Sequence, residues 1–297
     1  MIPMRKLISI LSIAVVPILA ACSSSSTSTT PTPPPQRLYV SNDGGSGLVQ
    51  IFAPPFAASS LPAVSFQDGT STDVDDVAFD AAGKLYVGNF GQNKVDVFTP
   101  PFTNSSTATF SISTGAGSPE GVDIDASGNL WAATGNVVIF DAPLSAASTP
   151  AVTITTGLTN PIGVKHDASG NMYVCDDSHG YVAIYNPPFT NASAPAVTVP
   201  EVGCWGLFLD GAGNLWAVDR SAKQVMKFVP PFTNTSTPAF TITTGLTDAL
   251  YPTLDSSGNL YVSSGTGVAV FLAPLSAAST ASFTMATVAS NGIRFGP

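Results

Sequence analysis

The sequence predicts an all-β fold, a six-bladed β-propeller with four antiparallel strands in each blade. Three observations predict it. First, an eight-residue signature recurs: Asp, two small residues, Gly, Lys or Asn, an apolar residue, Tyr or Trp, and Val or Ala. It starts at Asp80, Asp125, Asp167, Asp210 and Asp255, in steps of 45, 42, 43 and 45 residues. Repeats near this length mark propellers and solenoids. Second, each repeat carries four short runs rich in β-branched and aromatic residues, bounded by turn residues. Third, the two ends of the domain hold complementary halves of a sixth repeat.

The chain opens with a leader, residues 1–21. Arg5 and Lys6 form a positive start, and an apolar run from Leu7 to Ala21 comes next. That run is short for a bilayer span and has the layout of a signal peptide. It ends in Leu19-Ala20-Ala21-Cys22, which resembles the lipobox of bacterial lipoproteins. The resemblance implies cleavage before Cys22 and lipidation of its sulfur. At about 0.8 kcal/mol per buried CH₂, two acyl chains hold a protein at a membrane. Residues 22–36, the lipidated Cys and a Ser/Thr/Pro-rich run, have almost nothing apolar to bury and read as a tether. The expected location is extracytoplasmic, on the outer membrane or surface of a bacterial envelope rather than its inner membrane.

Residues 37–297 are the propeller. The run Arg37-Leu-Tyr-Val-Ser41 reads as a strand B with no strand A before it. The first complete repeat then places strand A near Val77 and strand B near Leu85. The next repeat shows all four strands: A at 121–125, B at 129–133, C at 137–140 and D at 151–154. Later strands A fall near Val164, Leu207 and Pro252. The last, Asn291-Gly-Ile-Arg-Phe295, has no strand B after it. Pairing the last strand A with the first strand B closes the ring and removes an exposed seam. Between A and B the Asp accepts backbone N–H groups and Gly supplies positive φ, so the repeated Asp residues are structural.

Composition narrows the function. The formal charge is −9, and the loss of Arg5 and Lys6 with the leader makes the mature chain two charges more negative. Such a chain is not built for nucleic acid or for electrostatic docking on anionic lipid. Only 10% of residues are charged and 44% are apolar, which suits sheets covered on both faces.

The propeller's two faces differ. One carries the A–B turns and C–D connectors, where Pro-Pro-Phe recurs at 54–56, 100–102, 187–189 and 230–232, and Ala-Pro-Leu-Ser-Ala-Ala-Ser-Thr at 142–149 and 273–280. The other carries D–A and B–C loops that differ between blades, including 68–76, 89–94, 176–180 and Asp219-Arg220. Binding residues gather where loops diverge on a rigid scaffold. The position two before the first apolar residue of strand A holds, in ring order, Asn291, Asp75, Glu120, Ile162, Trp205 and Leu250. These form the candidate channel mouth, half polar and half apolar, suited to an amphipathic small molecule or a cation. Asp123 and Lys165, at matching positions of adjacent blades, are expected to pair, and His166 is expected to pack inside. Cys175 and Cys204 are two spare cysteines of an extracytoplasmic domain, a disulfide candidate.

The pattern Gly-Val-x-x-Asp-x-x-Gly-Asn-Leu-Tyr-Val resembles the NHL repeat and, more broadly, the SMP-30/gluconolactonase-like propellers, over nearly all of residues 37–297. That resemblance speaks for a fold that hosts many functions. It implies a divalent metal site, calcium or similar, held by Glu120 and Asn291, with Asp75 in the third place. No catalytic constellation is legible in the residues. Three functions remain open. The preferred one is a lipid-anchored propeller that binds a small molecule or an envelope protein through its variable face. The second is a metal-dependent lactonase or related hydrolase, and the third a structural or adhesion spacer.

Overall fold

The computed structural model describes residues 36–297 apart from 116, 202, 288 and 289. The leader, Cys22 and the tether up to residue 35 lie outside the described residues. Among these, 24 strands form six four-stranded antiparallel sheets arranged as blades. Blade 1 joins β24 (Ser290–Gly296) to β1 (Arg37–Asn42), β2 (Leu48–Phe52) and β3 (Val64–Gln67). Blade 2 is β4 (Val77–Phe79), β5 (Leu85–Asn89), β6 (Lys94–Phe98) and β7 (Phe110–Ser113). Blade 3 is β8 (Gly121–Ile124), β9 (Leu130–Ala133), β10 (Val137–Phe140) and β11 (Val152–Ile154). Blade 4 is β12 (Pro161–His166), β13 (Met172–Asp176), β14 (Tyr181–Tyr185) and β15 (Val197–Pro200). Blade 5 is β16 (Cys204–Leu209), β17 (Leu215–Asp219), β18 (Gln224–Phe228) and β19 (Phe240–Ile242). Blade 6 is β20 (Pro252–Leu254), β21 (Leu260–Ser264), β22 (Gly267–Phe271) and β23 (Phe283–Ala286).

The ring closes as the split repeat requires. Leu38 stands opposite Phe295, Tyr39 opposite Arg294 and Val40 opposite Ile293. The Tyr39 hydroxyl donates to the Pro297 carbonyl at 2.8 Å. In blades 2, 4 and 6 the matching tyrosines (Tyr86, Tyr173 and Tyr261) donate instead to the signature Asp of their own A–B turn. That Asp accepts two backbone N–H groups within each turn, as Asp80 does from Ala82 and Lys84. Its role is structural.

The core lies between blades. Each of six buried clusters takes its apolar side chains mainly from two neighbouring sheets, as Tyr86 and Val95 of blade 2 meet Ile124 and Phe140 of blade 3. Each fully buried large side chain contributes about 1.5–3 kcal/mol. A blade is thus stable only with its neighbours.

The uniform face repeats at atomic detail. In all six C–D connectors a serine hydroxyl accepts the N–H three residues earlier, from Ser60 and Ala57 to Ser279 and Ser276. Asn104, Asn191 and Asn234 sit in three of them. Each Oδ1 accepts an N–H from the outer strand of the preceding blade: Ser65, Thr153 and Thr198, all at 2.9 Å. These side chains tie blade to blade and satisfy edge-strand donors that would otherwise stay open.

Candidate functional site

The six mouth residues form a tight circle because most of them precede a glycine. Gly121, Gly163, Gly206 and Gly292 come directly after Glu120, Ile162, Trp205 and Asn291. A Cβ on Gly121 would collide with the Ile162 carbonyl, on Gly206 with that of Leu250, and on Gly292 with that of Asp75. Glycine therefore lets each blade's mouth carbonyl press against the one before it. At the two remaining places, Asp76 and Tyr251 send side chains into the axis.

Those two side chains close the channel. The Tyr251 hydroxyl crosses from blade 6 to the opposite blade and donates to the Glu120 carbonyl at 2.9 Å. Lys165 donates to Asp76 Oδ2 at 2.7 Å and to the Val122 carbonyl at 2.9 Å. One level further along the strands, Asp123 accepts from Arg294 Nη1 at 2.7 Å and pairs with His166 Nδ1. The expected Asp123–Lys165 pair is therefore not made. Lys165 instead reaches past blade 3 to Asp76 at the entry of blade 2, and Arg294 of blade 1 takes its place at Asp123. His166 is half-buried, and it bonds Asp123 rather than merely packing. Burial opposes ionisation of Asp123, yet Arg294 and the hydrogen bond with His166 hold its carboxyl far below the ordinary range.

Above this plug stands the ring of mouth residues, the cup. Ile162 and Leu250 are buried in its floor with Tyr251, and Trp205 is half-buried against them. Asn291 and Asp75 meet directly: the Asn291 side-chain N–H donates to Asp75 Oδ1. Glu120 lies within electrostatic reach of both Asp75 and Asp73. The residues foreseen at the mouth thus share one place, although Ile162 and Leu250 are floor rather than exposed wall.

Every blade adds charge to the rim: Asp43 from blade 1, Asp73 and Asp75 entering blade 2, Glu120 entering blade 3, Asp177 from blade 4, Arg220 from blade 5 and Asp248 entering blade 6. They act on one another. Burial, then Asp73, Glu120 and Asp43, push the Asp75 carboxyl well above its usual range. Burial pushes Glu120 up to about 7, with Asp177 and Asp73 adding and Arg220 opposing. Arg220 pairs with Asp248 at 3.1 Å and lays its guanidinium 4.1 Å from the centre of the Trp205 ring. Among buried polar atoms, Asn291 Oδ1, Asp73 Oδ1 and Trp205 Nε1 have no hydrogen-bond partner. Each is a buried donor or acceptor that the protein itself leaves unsatisfied.

A divalent ion is a poor fit to Glu120, Asn291 and Asp75. The Asn291 N–H occupies Asp75 Oδ1, and among the described residues no three His, Cys, Asp or Glu side chains converge as a metal set. Hard cations need several oxygens at one point, about 2.0–2.6 Å away. Here the carboxylates are spread around a ring.

The junctions beside the cup are stitched at one repeated strand-B position. Ser41 donates to the Asp75 carbonyl at 2.6 Å, and Ser263 to that of Asn291. Cys175, at the same position of blade 4, is bonded to Cys204 of blade 5, with Cα atoms 5.2 Å apart. His179 stacks on Tyr181 and bonds Asp176, an ordered surface role. Sequence reading missed Tyr251 and the seating of Arg220. The signal for Tyr251 was present, since it interrupts a run of glycines.

No protein-family model matches the chain, and no curated protein matches it. Solved structures do. A chain of a nidogen/laminin complex superposes with a TM-score of 0.68 at 18% identity, covering 88% of this chain and 98% of that one. The periplasmic gluconolactonase of Pseudomonas aeruginosa gives 0.63 at 13% identity, covering 88% and 99%. A Bacteroides caccae protein of unknown function gives 0.67 at 11% identity, covering 88% and 99%. The class is therefore the six-bladed propeller. At these identities the likeness extends to the fold and no further.

Proposed function

We propose that this chain is a lipid-anchored extracytoplasmic binding module that takes a small ligand in the cup of its variable face. One observation carries the reading: the two faces have opposite chemistry. The uniform face spends its polar groups on turns and blade-to-blade bonds. The cup gathers charge from all six blades and keeps unpartnered polar atoms at Asn291, Asp73 and Trp205. The topology supports display. Gln36 and Pro297 both line clefts of the uniform face, Gln36 beside Asp210 and Asp255, Pro297 beside Asp80. The chain thus enters the propeller on the face opposite the cup. A cleft of about 670 Å³ between Tyr39 and Phe102 marks the place where blade 1 lacks an A–B turn, and Arg37 and Asp80 are the charged residues of its lining.

Two experiments test this reading. Thermal shift of the purified protein against a panel of charged and neutral small molecules should find ligands whose shift disappears in Trp205→Ala. Shifts that survive that change, or none at all, would remove the cup as the site. Fatty-acid labelling in bacteria should be lost in Cys22→Ser, and continued labelling would remove the anchor. The hydrolase reading calls for a calcium- or manganese-dependent shift abolished by Glu120→Gln, which the scattered donors speak against. The spacer reading calls for no ligand at all.

A further inference from the structure

We infer that the cup recognises an organic cation, a guanidinium or ammonium group on an apolar body, and that Arg220 occupies this position from within the molecule. The inference rests on the binding-module reading and names its ligand class.

Three observations point the same way. The cup already holds a guanidinium. Arg220 lies over the Trp205 ring, 4.1 Å from its centre, while its Nε bonds Asp248. Cations bind aromatic faces this way, and a seated side chain shows that the geometry is accessible. Second, the carboxylates outnumber that cation. Asp43 and Glu120 both act on Asp75, and Arg220 offsets the burial of Asp43 and Glu120 only in part. Third, Asn291 is buried with only 4% exposed, donates to Asp75 and leaves Oδ1 unpartnered against the acidic wall. It is an acceptor in want of a donor, and guanidinium or ammonium is donor-only.

The shape separates an organic cation from a bare metal ion. The acids stand around the rim and do not converge. Beside them the half-buried Trp205 ring, packed on buried Ile162, Leu250 and Tyr251, offers an apolar face. A cation with a hydrocarbon body can cover the Trp205 ring with charge and carbon together, which a hydrated metal ion cannot do.

Arg220 then acts as an internal competitor. It is half-exposed and sits on a B–C loop, so it can leave without disturbing a strand. A ligand must displace it, and apparent affinity is reduced by the fraction of molecules in which the ring is free. Removing it should strengthen binding. An arginine that simply contributes to a ligand site would do the opposite.

The test is calorimetric titration of the full mature protein with butylguanidinium and with butylurea, its neutral isostere. We expect butylguanidinium to bind and butylurea not to. Arg220→Ala should bind butylguanidinium about tenfold more tightly, corresponding to a ring occupied by Arg220 about 90% of the time. Trp205→Phe, which keeps an aromatic face and the packing, should retain part of the binding, whereas Trp205→Leu should lose it. Equal binding of the two probes, or no gain in Arg220→Ala, overturns the cation assignment but leaves the cup as a binding site. If neither probe binds and no compound of the panel shifts the melt, both the assignment and the binding-module reading fall.

Discussion

The phenol of Tyr251 and the main-chain carbonyl of Glu120 are 2.9 Å apart although 131 residues separate them in the chain. They belong to opposite blades, so this one hydrogen bond spans the ring. It converts an open channel into a cup with a floor. Tyr251→Phe keeps the ring packing and removes the bond. A buried acceptor left without its donor costs about 1–3 kcal/mol. For a domain of this size about 1 kcal/mol moves the melting temperature roughly 2–4 °C. A fall of at least 2 °C in a calorimetric scan is expected, and an unchanged melt would show that the span contributes nothing.

The connector asparagines make a second prediction. Asn104, Asn191 and Asn234 each accept an outer-strand N–H of the blade before them. Replacing one with Ala should cost about 1 kcal/mol. The sites are far apart, so the triple variant should lose close to the sum. The corresponding places in the other three connectors are Ala58, Ala146 and Ala277. Ala146→Asn should recover part of the loss by capping the outer strand of blade 2. Denaturant midpoints measure all of this directly, and a triple variant as stable as the parent would show that these side chains latch nothing.

These particulars show what the sequence could and could not tell. The Asp-x-x-Gly turns, the split repeat and the ring of Asn291, Asp75, Glu120, Ile162, Trp205 and Leu250 keep a fixed period, and periodic features survive translation into three dimensions. Partner choice does not. Lys165 and Asp123 occupy matching positions, but the long Lys165 side chain crosses to Asp76, two blades away. Arg220 and Trp205 lie in different loops of one blade, and only the loop conformations decide that one covers the other. Burial of Ile162 and Leu250 likewise depends on Tyr251 reaching over the axis, which no local pattern encodes.

Stability should fall as pH rises from about 5 to about 9. Burial, aided by Asp219 and Asp177, pushes the Glu201 carboxyl up to about 10, and neither of its oxygens has a hydrogen-bond partner. Burial, together with Asp96, pushes Asp68 up to about 8. Both folded values are raised above those of the unfolded chain. Their contribution is therefore complete below about pH 4 and is lost as pH climbs toward the folded values. Asp123 runs the other way, since Arg294 and His166 hold it low and its contribution is lost only in acid. The melting temperature should thus drop between about pH 5 and about pH 9. Glu201→Gln should flatten that drop and stabilise the protein at about pH 8 by on the order of 2 kcal/mol. A melting temperature that climbs over this range would contradict the assignment.

The seam between the chain ends is the last test and the most severe. β24 is the innermost strand of blade 1, and it supplies Ile293 to the junction with blade 6 and Arg294 to Asp123. Deleting residues 290–297 strips β1 of one of its two partners, leaves Asp123 buried without its guanidinium and opens the ring at one blade. Removing one member of a buried ion pair alone costs about 3–5 kcal/mol, against a total of about 5–15 kcal/mol for an ordinary domain. The shortened protein should show no cooperative melt and weak near-ultraviolet dichroism. Gly292→Val offers a milder version with the strand retained, because its side chain would run into the Asp75 carbonyl and prise blades 1 and 2 apart. It should melt well below the parent. If the truncated chain melted at the parent temperature, the closing strand would be ornamental, and the rigid circle that holds Asn291 against Asp75 would need another cause.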